Sequence, residues 1–190
     1  MSFEVELKAW VDDVPRTEEK LNMLADYAFA YSKKDTYFFM NKEGAFPSGV
    51  RLRDEAHVLP DGAREEKILV TYKTKELRGE IEVNEEHEFC VTGNGSAFAG
   101  FLERAGFTPG FCKTKEGKCW AYRSGFFPVN VELSRVEGLG YFLELEIILE
   151  SEDGQTVENA GAALRALLEK TGISARRIES RYYSEMLGQR

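Results

Sequence analysis

Charged and apolar residues alternate along several short segments of this chain, and the charged positions recur as like-signed pairs two residues apart. The first such segment, FEVELKAW, sets Glu4, Glu6 and Lys8 among apolar neighbours. Because successive side chains on a β-strand point to opposite faces, this spacing predicts a strand with one charged and one apolar face. Further pairs are acidic, Glu86/Glu88 and Glu144/Glu146, or basic, Arg51/Arg53, Lys73/Lys75 and Lys113/Lys115.

Two arrangements of these strands satisfy both faces. In an open antiparallel sheet the charged face lies in water, which is the usual explanation for any single strand. In a closed sheet the apolar faces point outward under a cover of helices, and the charged faces converge on one channel. We favour the closed sheet because charged pairs of both signs recur on several strands. The charges inside it must then be solvated, paired or neutralised by a ligand.

The order of the predicted elements is typical of an α+β protein with an antiparallel sheet. A helix that begins near Pro15 follows the N-terminal strand, and one short helix, capped by Ser96, interrupts the later strands. A longer helix is predicted from Thr156 to Gly172, and the segment RIESRYYSEML is predicted to form a last helix. These helices can cover the outer face of a closed sheet.

Composition narrows the class of protein and its partners. The 190 residues contain no evident linker or repeat, so we predict one domain spanning residues 1–190. The formal net charge of −8 disfavours nucleic-acid binding. The apolar stretches are too short to span a bilayer, and three cysteines without CxxC spacing indicate reduced thiols. We therefore expect a cytoplasmic protein with no membrane or nucleic-acid partner.

The two kinds of charged pair suit different parts of one ligand. Arginine and lysine bind phosphate oxygens, whereas carboxylates bind Mg²⁺ or Mn²⁺. A polyphosphate bridged by a divalent ion needs both. A channel that gathers these pairs is therefore predicted to bind such a ligand.

With these residues in view, the chain resembles the CYTH family, also called the triphosphate tunnel metalloenzymes, over nearly its whole length. Its triplet Glu4, Glu6 and Lys8 is similar to the family's E-x-E-x-K signature. The segment VEGLGYFLELE is close to the family motif G-L-G-x-F-x-E-x-E, and it is the most specific match. Other matches follow in the family's order, namely KKDTYF, VRLR, YKTK, EHE, CKTKEGK and SRYYSEML.

This resemblance implies an eight-stranded antiparallel β-tunnel, with helices packed outside, that binds a triphosphate. It implies that Lys8 and Glu6 are catalytic. The implied ligands for Mg²⁺ or Mn²⁺ are Glu4, Glu6 and Glu144, together with Glu146 or Glu88, and Glu132 joins them as a candidate on the grounds given below. The implied phosphate-binding residues are Lys8, Arg51, Arg53, Lys73, Lys75, Lys113 and Lys115.

The chain departs from the family pattern at two positions. Ser134 stands where the family usually has an aspartate before its G-L-G motif, so one metal-ligand carboxylate is lost. Glu132, two residues away on the same strand face, is the candidate replacement. Asn84 stands where the family often has an arginine. We therefore expect the second metal site or the substrate preference to differ.

The resemblance leaves three functions open. Chain length and the C-terminal match favour a class IV adenylyl cyclase, which converts ATP to cyclic AMP and pyrophosphate. The first alternative is an inorganic or thiamine triphosphatase, and the second is a non-catalytic protein that binds a nucleotide or polyphosphate. Related proteins are often dimers, so a homodimer is a further open expectation.

Overall fold

The computed structural model describes residues 2–40, 49–74 and 76–188. Within these residues, nine antiparallel strands form one sheet: β1 (Ser2–Trp10), β2 (Asp26–Met40), β3 (Val50–Val58), β4 (Arg64–Lys73), β5 (Glu76–Arg78), β6 (Ile81–Val91), β7 (Phe107–Ser124), β8 (Phe127–Val136) and β9 (Gly140–Leu149). The same residues form four α-helices: α1 (Val14–Leu24), α2 (Gly95–Arg104), α3 (Gly154–Thr171) and α4 (Tyr183–Met186).

The sheet closes on itself. The strand order is β1-β9-β8-β7-β2-β3-β4-β6, and β1 also pairs with β6, so eight strands surround a tunnel. The short β5 pairs with β6 and stands outside this ring. The predicted α+β fold, a closed antiparallel eight-stranded tunnel with helices outside, is confirmed.

The main hydrophobic core lies on the outside of the ring, between β1, β8, β9 and the inner face of α3. Leu7, Leu145 and Leu164 are fully buried there. The buried residues of α3 recur at three- and four-residue spacing, which places them along one stripe of the helix. Burying a leucine contributes about 1.5–3 kcal/mol, so this stripe holds α3 against the strands and leaves their charged faces inside.

Helix boundaries follow the local capping residues. For α3, the Asp153 side chain accepts a hydrogen bond from the Thr156 amide at 2.9 Å, and Gly172 ends the helix with a positive φ of 79°. This confirms the predicted helix to within two residues. The predicted cap of α2 was wrong, because Asn94 rather than Ser96 accepts the capping hydrogen bond.

The C-terminal segment forms less helix than the sequence predicts. The helical part is limited to α4, because the preceding residues are held along β1. Ile178 forms an isolated antiparallel bridge with Ala9, and the Glu179 amide donates to the Lys8 carbonyl at 2.8 Å. The Trp10 indole also donates to the Glu179 carboxylate at 3.0 Å.

The described residues contain no helix with the length and apolar character that crossing a membrane requires.

Gly117 lies where strands β7 and β8 approach closely, opposite Ser134. A Cβ atom at this position would lie 2.4 Å from the Leu133 carbonyl oxygen and 2.8 Å from the Ser134 Cβ. We expect Gly117→Ala to lower the free energy of unfolding by about 1–3 kcal/mol, as overpacking does, measured by urea denaturation. Gly100→Ala is the matched control, because a Cβ there meets nothing within 4 Å. Equal stability of the two variants would contradict the expectation.

Candidate active site in the tunnel

The charged faces of the strands enclose a cavity of about 300 Å³. It brings together all of the predicted site residues that the structure describes: Glu4, Glu6, Lys8, Arg51, Arg53, Lys73, Glu88, Lys113, Lys115, Glu132, Glu144 and Glu146. Lys75 lies outside the described residues. The individual roles of these residues in catalysis or binding stay predictions.

Strand register explains why carboxylates from distant segments meet. In the pairing of β1 with β9, Glu6 lies opposite Glu146, and Lys8 lies opposite Glu144. In the pairing of β9 with β8, Glu144 lies opposite Glu132. Because each strand alternates with a period of two, aligning one inward residue aligns the whole inward row.

A buried aspartate organises the cationic part of the site. Asp35 is completely buried and accepts two hydrogen bonds from Arg53, at 2.6 and 2.9 Å. The Lys113 ammonium lies 3.1 Å from the same carboxylate. Burial raises the pKa of Asp35, but the positive charges of Arg53 and Lys113 outweigh burial and hold this pKa well below its usual range. Asp35 therefore fixes two cations from different strands.

Arg51 lies on the same face of β3 and is less fully paired than Arg53. Its guanidinium donates to Thr71 at 2.9 Å and to Glu88 at 3.3 Å. The Nε of Arg51 is buried and, among the described residues, has no hydrogen-bond partner. A buried donor without a partner is unfavourable, so this nitrogen is suited to an anionic ligand oxygen.

Two carboxylates are neutralised by a neighbouring lysine. Lys115 donates to Glu132 at 2.6 Å and also to Glu144. Lys33 donates to Glu132 at 2.5 Å, and the Tyr183 hydroxyl donates to Glu144. Burial alone raises the pKa of each carboxylate, but Lys115 reverses the direction, and both pKa values are lowered.

At other carboxyl groups the protein compensates the ionised form less completely, so their pKa values are raised. Burial and, next, the nearby negative charge of Glu82 together raise the pKa of Glu6 to about 8, against the opposing effect of Lys73. Burial also raises the pKa of Glu146 well above its usual range, with added repulsion from Glu4. A cation beside Glu6 and Glu146 would relieve this repulsion.

The carboxylates around Glu6 and Glu146 fit a divalent ion by their chemistry. Mg²⁺ and related hard cations prefer carboxylate oxygens, and Glu6 and Glu146 are direct partners across β1 and β9. Within residues 2–40, 49–74 and 76–188, no three His, Cys, Asp or Glu side chains stand at metal-binding spacing.

Ser134 does not line the cavity, although it follows Glu132 on the same strand face. It is buried between its strand partners Gly117 and Phe142, and its hydroxyl has no hydrogen-bond partner among the described residues. The departure from the family aspartate therefore leaves no carboxylate at this position. Glu132 does line the cavity, although two lysines already neutralise it.

Sequence reasoning missed several residues of the cavity and its ion pairs. A mixed strand face, on which Tyr31, Lys33 and Asp35 follow one another, lacks the like-charged pairs that identified the other strands. Glu55 continues the row of Arg51 and Arg53 and was detectable by that spacing. The missed residues include Tyr31, Lys33, Asp35, Tyr37, Glu55, Glu82, Phe111 and Tyr183.

The fold and cavity define a tunnel protein whose charged residues face an enclosed channel. The family model described as the CYTH domain matches residues 2–183. The chain therefore belongs to the CYTH family. No protein with a curated description matches the chain.

Solved structures share the fold at low sequence identity. The PH1819 protein of Pyrococcus horikoshii is 23% identical, with a TM-score of 0.78 and 97% of each chain covered. A Vibrio parahaemolyticus protein described as a candidate adenylate cyclase is 20% identical, with a TM-score of 0.73 and 98% of each chain covered. HpAC1 of Hippeastrum is a candidate adenylyl cyclase described as having a dominant triphosphatase activity. It is 16% identical, with a TM-score of 0.60, and the match covers 100% of this chain and 97% of HpAC1.

Replacing Asp35 should destabilise the protein strongly. Asp35→Asn leaves Arg53 and Lys113 without their shared carboxylate, and breaking a buried ion pair typically costs about 3–5 kcal/mol. Urea denaturation near neutral pH measures this loss. Asp26→Asn, at an exposed position on the same strand, is the matched control and should change stability by less than about 0.5 kcal/mol. A small effect of Asp35→Asn would show that the two cations do not depend on it.

Replacing Glu6 should stabilise the metal-free protein at high pH. The folded-state pKa of about 8 exceeds the ordinary value of 4.5, so the folded protein keeps a proton that the unfolded chain releases between these values. Stability therefore falls as pH rises through this window, and the uncharged Glu6→Gln avoids that loss. The melting temperature of the variant minus that of wild type should increase as the pH rises from about 4.5 to about 8, by roughly 2–4 °C for each kcal/mol of difference in unfolding free energy. Glu158→Gln, on the exposed face of α3, should show no such trend, and a pH-independent shift in Glu6→Gln would contradict the argument.

Proposed function

We propose that this protein is a divalent-metal-dependent enzyme that holds a triphosphate inside the tunnel and converts ATP to cyclic AMP and pyrophosphate. The observation that carries the proposal is one enclosed cavity with two chemically distinct groups of residues. Asp35 positions the cations Arg53 and Lys113, and the incompletely balanced carboxylates Glu6 and Glu146 lie in the same cavity.

The cations of the cavity bind the phosphate oxygens. Arg53 and Lys113 are held by Asp35 before a ligand enters, so little side-chain ordering remains to be done on binding. Arg51 supplies the unpaired Nε, whose hydrogen bond a phosphate oxygen completes. These positive charges stabilise the negative charge that develops on the leaving pyrophosphate.

The carboxylates hold the metal ion. Glu6 and Glu146 are the proposed first ligands, because burial and neighbouring carboxylates disfavour their ionised forms and a cation would relieve that repulsion. Glu4, which accepts a hydrogen bond from Lys73, lies beside them. Glu144, Glu132 and Glu88 are the remaining proposed ligands. With Mg²⁺ or Mn²⁺ held there, the charge repulsion that an attacking oxygen meets at phosphorus would be reduced. Lys8, which donates to buried Glu82 at 3.1 Å, acts with Glu6 as the proposed catalytic pair.

In the cyclase reaction the ribose 3′-hydroxyl attacks the α-phosphorus and pyrophosphate leaves. In the alternative reaction water attacks the terminal phosphorus and orthophosphate leaves. The similarity to HpAC1, which is described as having a dominant triphosphatase activity, favours keeping hydrolysis as the second candidate. The two reactions differ in which oxygen is held in line with the leaving group.

Product analysis tests the proposal. Purified protein is incubated with ATP, and separately with tripolyphosphate, in the presence of Mg²⁺ or Mn²⁺. Cyclic AMP with pyrophosphate is the expected result, and orthophosphate identifies the hydrolase. Tight binding without either product would instead identify a non-catalytic binding protein.

The metal-binding role of Glu6 is tested in the same assay. Glu6→Gln should lower turnover by at least about 10- to 100-fold, because losing even an outer-shell partner of a metal site typically costs that much. Glu158→Gln, an exposed position on α3, is the charge-matched control and should keep wild-type turnover. Full activity of Glu6→Gln would remove the metal role from this residue.

A further inference from the structure

Two aromatic rings line the same cavity as the cations. Tyr37 of β2 and Phe111 of β7 are stacked, with ring centroids 4.3 Å apart and ring planes inclined by 13°. Phe39 extends the row, because its ring centroid lies 6.3 Å from that of Phe111 at an angle of 27°. A flat aromatic surface therefore borders a charged binding site.

Phe111 lies on the inward face of β7, two residues before Lys113, and an irregularity in strand pairing lies beside it. Thr36 of β2 pairs with Cys112, but Phe38 pairs with Pro109, so Gly110 and Phe111 together stand opposite Tyr37. An extra residue on one strand is a β-bulge, and bulges commonly redirect a side chain beside a functional site. Here the bulge places the Phe111 ring on the Tyr37 ring.

Glycine makes room for this row of rings. A Cβ atom on Gly110 would lie 2.5 Å from the ring of Phe39, and one on Gly49 would lie 2.8 Å from the opposite side of the same ring. Both contacts are closer than real Cβ atoms show, so larger residues would force the Phe39 ring to move. The aromatic row thus depends on two glycines from different parts of the chain.

The aromatic row adjoins the proposed phosphate-binding cations. Tyr37 is the direct strand partner of Arg51, and Asp35, two residues before it, holds Arg53 and Lys113. Burial raises the pKa of Tyr37, but the positive charges of Lys113, Arg51 and Arg53 outweigh it, and the pKa is lowered overall. If the phosphates of a ligand bind these cations, the rest of that ligand lies beside the stacked rings.

The other aromatic residues of the cavity have different surroundings. Among the described residues, Tyr182 and Tyr183 also line it. Tyr183 donates its hydroxyl to Glu144, and its ring lies beside the ammonium groups of Lys8 and Lys113 and edge-on to Phe142. Its ring is therefore already surrounded by protein groups. The ring of Phe111, by contrast, contacts the rings of Tyr37 and Phe39 within the part of the chain that the structure describes.

We infer that Tyr37 and Phe111 form a stacking subsite for the organic end of the substrate, so that the tunnel prefers a triphosphate bearing a planar aromatic group over inorganic triphosphate. The inference rests on the proposed binding of a triphosphate and extends it to the class of substrate. Stacking suits this role because every nucleobase presents a π-face, whatever hydrogen bonds it makes. The cations hold the phosphates, and the ring pair selects what the phosphates carry.

Binding titrations compare the two ligand classes. The dissociation constants of ATP and of tripolyphosphate are measured by calorimetry, first in EDTA and again with Mn²⁺. Wild-type protein is expected to bind ATP more tightly than tripolyphosphate. Phe111→Leu should weaken ATP binding by about 5- to 100-fold, as loss of one base–aromatic stack does, and change tripolyphosphate binding less than twofold.

Two further variants separate stacking from general damage to the fold. Phe111→Tyr keeps a ring at this position and should retain the preference for ATP. Phe126→Leu changes a phenylalanine that is 97% exposed and should leave both dissociation constants at wild-type values.

The outcomes distinguish this inference from the function it rests on. Equal loss of ATP and tripolyphosphate binding in Phe111→Leu, or no loss of either, overturns the stacking subsite while leaving a triphosphate tunnel in place. If wild-type protein binds tripolyphosphate as tightly as ATP, the stacking subsite is likewise overturned and the triphosphate tunnel remains. If neither ligand binds to wild-type protein, the proposed function fails and the subsite fails with it.

Discussion

The pairing of β1 with both β9 and β6 is the constraint on which the rest of this structure depends. Closure leaves each strand with one face toward the channel and one toward the helices. The outer faces are apolar and α3 packs on them, so hydrophobic burial stabilises the ring. The charged faces of the same strands therefore point into the channel. The functional site is thus a consequence of burying the other side of the same strands.

Charges enclosed in this way must be balanced, and the tunnel balances them unevenly. Asp35 holds Arg53 and Lys113, and Lys115 with Lys33 neutralises Glu132. Glu6 and Glu146 receive less compensation, and repulsion from nearby carboxylates adds to the effect of burial on their pKa values. Buried charges that are paired stabilise a preformed geometry, whereas those left unbalanced favour binding of an ion of opposite sign. The uneven balance therefore divides the cavity into a preorganised cationic part and a part suited to a metal ion.

Much of the fold could be predicted because its signals are local. Alternation with a period of two marks the charged strands, and the caps and apolar spacing of α3 lie within a few residues of each other along the chain. The errors have physical reasons. Asn94 and Ser96 are both good helix caps, so sequence alone did not separate them, and the residues before α4 are held by Ala9, Lys8 and Trp10, which are remote in sequence. Local helix propensity cannot detect that contacts with β1 prevent these residues from forming a helix.

The sequence by itself determined which side chains of most strands share a face, because side-chain direction alternates strictly along a strand. That was enough to name Glu6, Arg53 and Lys113 as members of one charged surface. Only the tertiary structure decided which charges meet, since register between distant strands places Asp35 between Arg53 and Lys113. It also decided that the Phe111 ring stacks on the Tyr37 ring, because the register of β2 against β7, with its β-bulge, depends on how two strands pair and not on the spacing of either strand alone.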